Sequence, residues 1–420
     1  MKIINILTHP PQEILWNYSA PEEYVRRFPL TEYIKIDKYP YWIGFFRLDW
    51  HHRWGSYVKK LAPEIEMECW RPYCDKINQV YQKDVDGLIH KVFPSKEIKI
   101  KKYGSISRSP LMLKELQKEI YKGKVILHFY GSHNPLITWL INKLEINKTP
   151  IILQNLGGWW SWFDWKYKKN PIKLIHYINE KRMLKKVSLY LQASKVEEKF
   201  NNENFTNLKS IFFLNGIDLN DYPLIDKNIA RQRLGIPSDQ KIILYVGRYY
   251  RTKGVDLLIE AYKKLQKERA DVELYLVGGY IDDEFYTLGK EAGAKMILRT
   301  DNPINDYYAA ADVFVMPVND SQIRDFGGFG IAPIEALALN TPVISPNIIH
   351  LPSESDVSKL GVVSNSNNLL ECIKQVLIKG NYKTREVVEK HFDIVKNTQN
   401  LIKIYENLSR KYYEEDYPQL

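Results

Sequence analysis

Three glycines, Gly327, Gly328 and Gly330, stand within four residues, directly before a segment of helical composition that contains Glu335. Glycine lets the backbone approach a ligand closely, and the amino end of a helix presents unpaired N–H groups that favour an anion. The pattern therefore predicts a cradle for a phosphate or a similar group. A purely structural turn, with Glu335 complementing the helix dipole, is the alternative.

Two cations stand in another connection of the same kind. Arg248 and Lys253 lie between the apolar run "KIILYV" and the helical segment "GVDLLIEAY". A guanidinium and an ammonium over the edge of a sheet suit a polyphosphate. Two solvated loop cations are the alternative interpretation for this pair taken alone.

The elements that must position these residues alternate between strands and helices. In the second half, "KIILYVG", "VELYLVGG", "DVFVMPV" and "TPVIS" are typical of buried strands, and "GVDLLIEAYKKLQKE" and "IAPIEALALN" of helices. The first half has the strand-like runs "KIINIL", "KVILHFY", "TPIILQNL" and "VSLYLQAS". This alternation predicts an α/β fold with parallel sheets, whose ligands lie beyond the carboxyl ends of the strands.

Composition predicts two domains with different partners. The 420 residues are 45% hydrophobic and 26% charged, and all ten tryptophans precede residue 166. Residues 1–215 hold 35 Lys/Arg against 21 Asp/Glu, whereas residues 216–420 hold 25 against 29. We expect domains at 1–215 and 216–394, with a last helix over about 395–420. With neither a leader nor a membrane span apparent, we expect a cytoplasmic protein whose three cysteines are reduced and bind no zinc.

The segments "GIDLNDYP", "RQRLGIPSDQKIILYVGRYYRTKGVDLLIEAY", "YAAADVFVMP" and "GFGIAPIEALALNTPVIS" resemble the nucleotide-sugar half of glycosyltransferase family 4. The resemblance runs from about Leu214 to Pro346. It implies the GT-B fold, in which two Rossmann-like domains face each other and the last helix crosses back to the first domain. It also implies transfer of a hexose-type sugar from a UDP- or GDP-linked donor, with retention of configuration and without a metal or other cofactor.

By this resemblance, Arg248 and Lys253 hold the donor diphosphate, and Glu335 binds the ribose. The glycine loop that contacts the phosphates and the transferred sugar is Gly328, Phe329, Gly330 and Ile331. Base contacts are expected near Arg299 and Thr300.

The sequence departs from the family pattern at three places, two of which concern candidate site residues. Gly327 stands where the family has a first glutamate, and Asp325 is the candidate to replace that contact. A histidine near the reacting sugar follows a strand of the first domain in many members. His128 and His133 are both candidates here, and we favour His133 because it falls in the loop.

The run "GGWWSWFDWKYKKNP" is the candidate acceptor region, with Gly157, Gly158, Trp159 and Trp160 as its first members. One interpretation is stacking of indoles on sugar rings, and another is peripheral contact with an anionic membrane at the inner face of the cell. A core or surface loop that is rich in aromatic residues is the third. The basic first half favours an anionic or lipid-linked glycan acceptor over a neutral soluble one.

Two other classes of protein stay open. A sugar-nucleotide epimerase shares the two-domain architecture, and a basic nucleic-acid-binding protein fits the charge of the first half. No nucleic-acid-binding module is apparent, so we do not expect nucleic acid as a partner. The triplet Asp84 to Asp86 resembles a metal-binding aspartate pair, and we interpret it as a surface turn.

Overall fold

A computed structural model of the chain describes residues 1–7, 50–73, 78–100, 104–146, 148–155, 160–161, 171–247, 249, 251–278, 284–297, 303–318, 330–346, 359–362, 367–380 and 382–414. The chain divides into two compact units. Unit 1 comprises Met1–Gln192, Glu198–Phe213 and Thr398–Leu420, and unit 2 comprises Ala193–Glu197 and Leu214–Asn397.

Unit 1 is built on an eight-stranded sheet with a separate two-stranded hairpin. Its strands, in chain order, are β1 (Lys2–Leu7), β2 (Glu66–Tyr73), β3 (Tyr81–Val85), β4 (Leu88–Pro94), β5 (Lys96–Ile100), β6 (Gly104–Arg108), β7 (Val125–Tyr130), β8 (Ile151–Gln154), β9 (Leu189–Gln192) and β10 (Ser210–Phe212). Its helices are α1 (Trp50–Leu61), α2 (Pro110–Lys122), α3 (Pro135–Lys143), α4 (Pro171–Leu184) and, from Glu198 onward, α5 (Lys195–Asn204).

The large sheet of unit 1 runs β10-β9-β8-β7-β1-β2-β4-β3, and every pair except β3–β4 is parallel. From β1 the chain adds strands on one side, then returns to place β7 on the other. The order therefore reverses between β1 and β7. At such a switch point the connections leave in opposite directions and open a crevice at the carboxyl ends of the strands.

Unit 2 is built on a six-stranded parallel sheet in the order β13-β12-β11-β14-β15-β16. Its strands are β11 (Lys241–Val246), β12 (Val272–Val277), β13 (Lys295–Ile297), β14 (Val313–Val315), β15 (Val343–Ile344) and β16 (Gly361–Val362). Its helices are α6 (Lys227–Leu234), α7 (Val255–Gln266), α8 (Glu284–Glu291), α9 (Ile304–Ala310), α10 (Ile331–Ala338), α11 (Leu369–Lys379) and α12 (Arg385–His391), with a 3₁₀ turn at Arg251–Lys253. The order reverses between β11 and β14.

The central strands are buried along their length. All six residues of β7, "VILHFY", are buried, as are Ile242 to Tyr245 of β11. A strand covered on both faces needs a nearly continuous apolar run, which explains why these segments were recognisable in the sequence. The predicted α/β class with parallel sheets is confirmed.

The last helix, α13 (Ile394–Tyr413), carries the chain back to unit 1, to which residues from Thr398 onward belong. Leu401 and Tyr405 are fully buried there. Among the described residues, no helix combines the length and the apolar character needed to cross a lipid bilayer.

Candidate active site

Two loops meet at the switch point of unit 2. The chain leaving β11 passes through the 3₁₀ turn that ends at Lys253, and the chain leaving β14 passes through Met316 to Val318. The amide of Val318 donates to the carbonyl of Lys253 at 3.2 Å. Gly254 has φ +72°, and a Cβ added to it would lie 2.8 Å from Pro317 Cγ. Glycine is required here because the two loops touch, and their contact holds Lys253 at the edge where ligands of such sheets bind.

The described end of the glycine turn is Gly330, which forms the N-cap of α10 with φ −70°. A Cβ added at Gly330 would meet only ordinary contacts, the nearest at 3.5 Å to Met316 Cε. Neither backbone conformation nor packing against the described residues requires glycine at this position. With no side chain at Gly330 in the way, a ligand could approach the first amides of α10, which start at Ile331.

Glu335 lies one turn further along α10, and both of its carboxylate oxygens accept a hydrogen bond. Tyr222 donates to Oε1 at 2.5 Å, and Tyr308 donates to Oε2 at 2.7 Å. Burial, followed by the charge of Glu335, raises the pKa of Tyr308 well above its usual range. The phenol therefore stays protonated and remains a donor.

In unit 1, His133 lies at the corresponding edge. It follows β7 in a short loop that ends where the Asn134 side chain accepts from Leu136 N and caps α3. The half-buried imidazole of His133 packs edge-on against Trp160, with the ring centroids 4.5 Å apart. His133 is thus next to the β1/β7 switch point, where the sequence prediction favoured it.

A buried carboxylate holds Ser161, the neighbour of Trp160. Glu180 of α4 is 2% exposed and accepts from the amide of Ser161 at 3.1 Å and from its hydroxyl at 2.8 Å. Burial raises the pKa of Glu180, whereas the nearby His133 and the Ser161 hydrogen bonds act in the opposite direction. Glu180 is therefore close enough to His133 for their charges to interact.

His128 has a different environment. It is fully buried in β7, and its Nδ1 lies 2.8 Å from the hydroxyl of Tyr405 on α13. Burial lowers the pKa of His128 to about 3, only partly offset by a hydrogen bond with Gln154, so the ring is neutral. Enclosure beneath the last helix makes His128 part of the core of unit 1.

Trp160 is also a core residue. Its side chain is 0% exposed, its Nε1 donates to Asn201 Oδ1 at 3.0 Å, and its ring packs against Tyr190 and Phe205. This corrects the expectation that Trp160 stacks on an acceptor or lies at the headgroup level of a membrane. An indole that is buried on every side and hydrogen-bonded inside the unit is not available to either.

The remaining predicted site residues lie outside the described residues. They are Arg248, Arg299, Thr300, Asp325, Gly328, Phe329, Gly157, Gly158 and Trp159, together with Gly327, where the family glutamate is absent. Their roles stay predictions.

Tyr222 and Tyr308 are the contacts that the sequence interpretation missed. Both tyrosines fall in segments that carried the resemblance. Tyr222 lies in "GIDLNDYP", and Tyr308 is the first residue of "YAAADVFVMP". A tyrosine in such a segment reads equally well as core, and only the fold brings these two to Glu335.

Unit 1 contains a buried group with metal-ligand chemistry. His51, Cys69 and His90 offer ligand atoms within 4.8 Å of one another, a set that suits zinc. However, the buried guanidinium of Arg71 donates to His51 Nε2 at 3.0 Å, and His52 Nδ1 lies 2.9 Å from His90 Nε2. Burial and the positive Arg71 lower the pKa of His51 well below its usual range. A cation already faces this group, which disfavours a divalent metal ion.

Asp84 and Val85 end β3, and Asp86 begins the short turn that leads to β4. Asp84 and Asp86 are exposed, and Asp84 Oδ1 accepts from Gly87 N at 2.7 Å. The interpretation as a surface turn is confirmed.

A cavity of about 400 Å³ lies at the opposite edge of the unit 2 sheet, near the amino ends of β11 and β14. Charged groups at this cavity are already paired: Asp312 accepts from Lys227 at 2.7 Å and from the adjacent Arg231 at 2.8 Å. Since ligands of parallel sheets bind at the carboxyl edge, this cavity is a poor candidate for the active site.

Residues 226–390 match the protein family described as "Glycosyl transferases group 1". The D-inositol 3-phosphate glycosyltransferase of Corynebacterium aurimucosum is 30% identical over 164 residues, which cover 35% of this chain and 37% of that protein. D-inositol 3-phosphate glycosyltransferase 2 of Catenulispora acidiphila is 29% identical over 148 residues, covering 32% and 33% of the two chains. The match thus spans only about a third of the length of these curated relatives.

Solved structures resemble the whole chain. Sucrose-phosphate synthase from Thermosynechococcus elongatus has a TM-score of 0.65 at 16% identity, covering 97% of this chain and 99% of its own. Anabaena HepE, solved with UDP, has a TM-score of 0.61 at 13% identity and covers 97% and 100%. WaaG, a glycosyltransferase involved in lipopolysaccharide biosynthesis, has a TM-score of 0.56 at 14% identity and covers 99% and 100%. At these identities the likeness establishes the fold, which is GT-B as predicted.

Proposed function

We propose that this protein is a glycosyltransferase that takes a sugar from a nucleotide-sugar donor, because residues 226–390 match the family described as "Glycosyl transferases group 1". The proposal rests on the set of groups at the carboxyl edge of the unit 2 sheet. Lys253, the open amino end of α10 and Glu335 all lie within the matched segment. The first two border the β11/β14 switch point, and Glu335 follows one turn along α10.

The chemistry of this edge suits a diphosphate leaving group. As the bond to the sugar breaks, negative charge develops on the diphosphate, and the ammonium of Lys253 and the amides at the start of α10 stabilise it. Arg248 adds a second cation by its place in the sequence. We propose a UDP- or GDP-linked hexose as donor and transfer with retention of configuration. These groups supply the charge stabilisation that the reaction needs, so we propose that it proceeds without a metal ion.

The class of acceptor is proposed from the composition of the first half of the chain. The curated relatives match only about a third of this chain, so their named substrates do not indicate the acceptor here. The excess of basic residues in 1–215 favours an anionic or lipid-linked glycan, presented at the inner face of the cell membrane. His133, beside the β1/β7 switch point, is the group proposed to face the transferred sugar.

The test is calorimetric titration with UDP, GDP and ADP in buffer containing a chelator. We expect one nucleotide to bind, and Lys253→Ala to weaken it by about tenfold or more, because a charge-assisted phosphate contact contributes about 1.5–3 kcal/mol. Lys263→Ala is the matched control, since Lys263 is a half-exposed lysine of α7 whose ammonium pairs with Glu260. Failure of the folded protein to bind any nucleotide would overturn the proposal.

The two other classes considered from the sequence are not favoured by the family match. An assay with and without acceptor separates transfer from epimerisation. We expect sugar transfer only when an acceptor is present, whereas an epimerase would convert the nucleotide-sugar alone.

A further inference from the structure

The carboxylate of Glu335 is held from both sides by phenols. The hydroxyl of Tyr222 is 2.5 Å from Oε1, and the hydroxyl of Tyr308 is 2.7 Å from Oε2. Glu335 itself is half-buried on α10. With one donor on each oxygen, the plane of the carboxylate is fixed.

Both tyrosines are themselves anchored. Tyr308 is fully buried on α9, and its carbonyl accepts from the Thr341 hydroxyl at 2.6 Å. Tyr222 lies ahead of α6, where Arg385 of α12 donates to its carbonyl at 2.5 Å and to the carbonyl of Ala338, at the end of α10, at 2.9 Å. Arg385 thus ties the backbone of Tyr222 to the helix that carries Glu335.

This arrangement leaves the carboxylate with acceptor capacity. An ionised carboxylate has about four lone-pair sites, and the phenols use two. The two lone-pair sites that remain have fixed directions, because the carboxylate group cannot rotate without breaking a hydrogen bond. The family resemblance implies that Glu335 binds the ribose of the donor, whose 2′- and 3′-hydroxyls are two neighbouring donors that could use these two sites.

We infer that Tyr222 and Tyr308 are positioning residues that aim Glu335 at the ribose diol and make the donor site select ribonucleotides over 2′-deoxyribonucleotides. The inference rests on the proposed function, since it assumes that the donor nucleotide binds at this edge. A carboxylate that is already oriented can accept from the 2′-hydroxyl without the entropy cost of ordering a mobile side chain on binding. An unheld carboxylate has to be ordered, so the contact contributes less to binding.

The experiment compares each nucleoside diphosphate that binds with its 2′-deoxy form, by calorimetry. We expect the wild-type protein to prefer the ribonucleotide by about tenfold, the value of one hydrogen bond to a charged acceptor. Tyr308→Phe and Tyr222→Phe are each expected to lower that ratio severalfold by weakening the ribonucleotide while leaving the deoxynucleotide almost unchanged. Tyr262→Phe, at a buried tyrosine of α7, is the control for loss of a phenol elsewhere in unit 2.

A double-mutant cycle separates positioning from a general structural role. In a Glu335→Gln background, Tyr308→Phe is expected to have little further effect on the ribo/deoxy ratio, because the tyrosine acts through the carboxylate. A merely structural tyrosine would weaken both nucleotides in either background. That outcome, in a variant whose thermal unfolding matches the wild type, would overturn the inference.

Failure of the inference and failure of the proposed function give different results. Equal affinities of the wild-type protein for the ribonucleotide and the deoxynucleotide would overturn the inference and leave the donor site standing. No nucleotide binding at all would overturn both. Tyr222 is only half-buried, so its Phe variant keeps the test decisive should Tyr308→Phe fail to fold.

Discussion

The imidazole of His128 and the phenol of Tyr405 lie side by side in unit 1, with 2.8 Å between Nδ1 and the hydroxyl, although 277 residues separate them in the sequence. Tyr413, near the end of the same helix, donates to the carbonyl of Val125 at 2.8 Å. The last helix is therefore a structural part of the unit that contains the first strand.

Loss of packing by this helix is expected to destabilise unit 1. Leu401 is fully buried on α13, so Leu401→Ala should lower the free energy of unfolding by about 2–5 kcal/mol. Tryptophan fluorescence in urea reports on this selectively, because all ten tryptophans precede residue 166. Lys403→Ala, at an exposed position of the same helix, is the control, and an equal loss in both variants would contradict the packing argument.

The buried histidines predict that unit 1 loses stability in acid. Burial lowers the pKa of His128 to about 3 and that of His90 to about 2, whereas an unfolded histidine has a pKa near 6.5. Between these values the unfolded state binds more protons than the folded state. Stability is therefore complete above pH 6.5 and falls as the pH drops below it, by up to about 1.4 kcal/mol per pH unit for each histidine.

The same fluorescence-detected unfolding, repeated at pH 7.5, 6.5 and 5.5, measures this slope. His128→Gln should reduce the slope of the unfolding free energy against pH by up to the contribution of about one proton. Lys403→Ala should leave the slope unchanged, because lysine does not titrate in this range. A wild-type slope in His128→Gln would show that His128 is not buried as a neutral ring.

Some parts of the fold were predictable because one rule governs them. The segments "KVILHFY" and "KIILYVG" became β7 and β11, since a strand buried on both faces has few alternatives to an apolar run. The polar strands β3 and β5, "YQKDV" and "KEIKI", escaped prediction because their sequences carry no such run.

The candidate site divides in the same way. Glycines before a helix predict a place where a ligand can approach the backbone, and this pattern pointed to Gly330 and Ile331. The structure places both at the start of α10, and their contact with a ligand stays a prediction. The two tyrosines that hydrogen-bond to Glu335 were not predicted. Tyr222 is 113 positions away from Glu335 in the sequence and Tyr308 is 27 positions away, and no local pattern links them. Trp160 was misread for a related reason: an aromatic-basic run does not reveal which of its indoles turns inward.

Trp160 is expected to contribute to stability and not to membrane binding. Removing a fully buried indole that also donates to Asn201 should cost about 3–5 kcal/mol in Trp160→Ala. Trp160→Phe keeps most of the packing and should bind vesicles containing anionic lipid as the wild type does. Weaker vesicle binding by a stably folded Trp160→Phe protein would restore the surface role for this residue.

His133 is expected to affect turnover more than donor binding. It lies beside the switch point of unit 1, whereas the groups proposed to bind the nucleotide belong to unit 2. Under the proposed function, His133→Ala should lower kcat by about tenfold or more while the nucleotide affinity stays within about twofold. Glu180→Gln, which alters the acidic group close to His133, should shift the pH profile of kcat. A parallel loss of nucleotide affinity in His133→Ala would place this residue outside the proposed role.

The protein is expected to work without a divalent metal, despite the ligand chemistry of His51, Cys69 and His90. A metal at this position would have to approach a histidine whose Nε2 already accepts from the buried Arg71. Like charges in a low-dielectric interior repel strongly, and burial adds the cost of desolvating the ion. Cobalt(II) is the sharpest probe, because a cobalt–thiolate bond gives an intense near-ultraviolet absorption band. We expect no such band, and nucleotide binding unchanged by a chelator. Cys372→Ser is the control, because the Cys372 thiol is buried in unit 2. A band that appears in the wild type and in Cys372→Ser, but not in Cys69→Ser, would contradict this prediction. It would mean that Arg71 moves aside and that unit 1 contains a metal site.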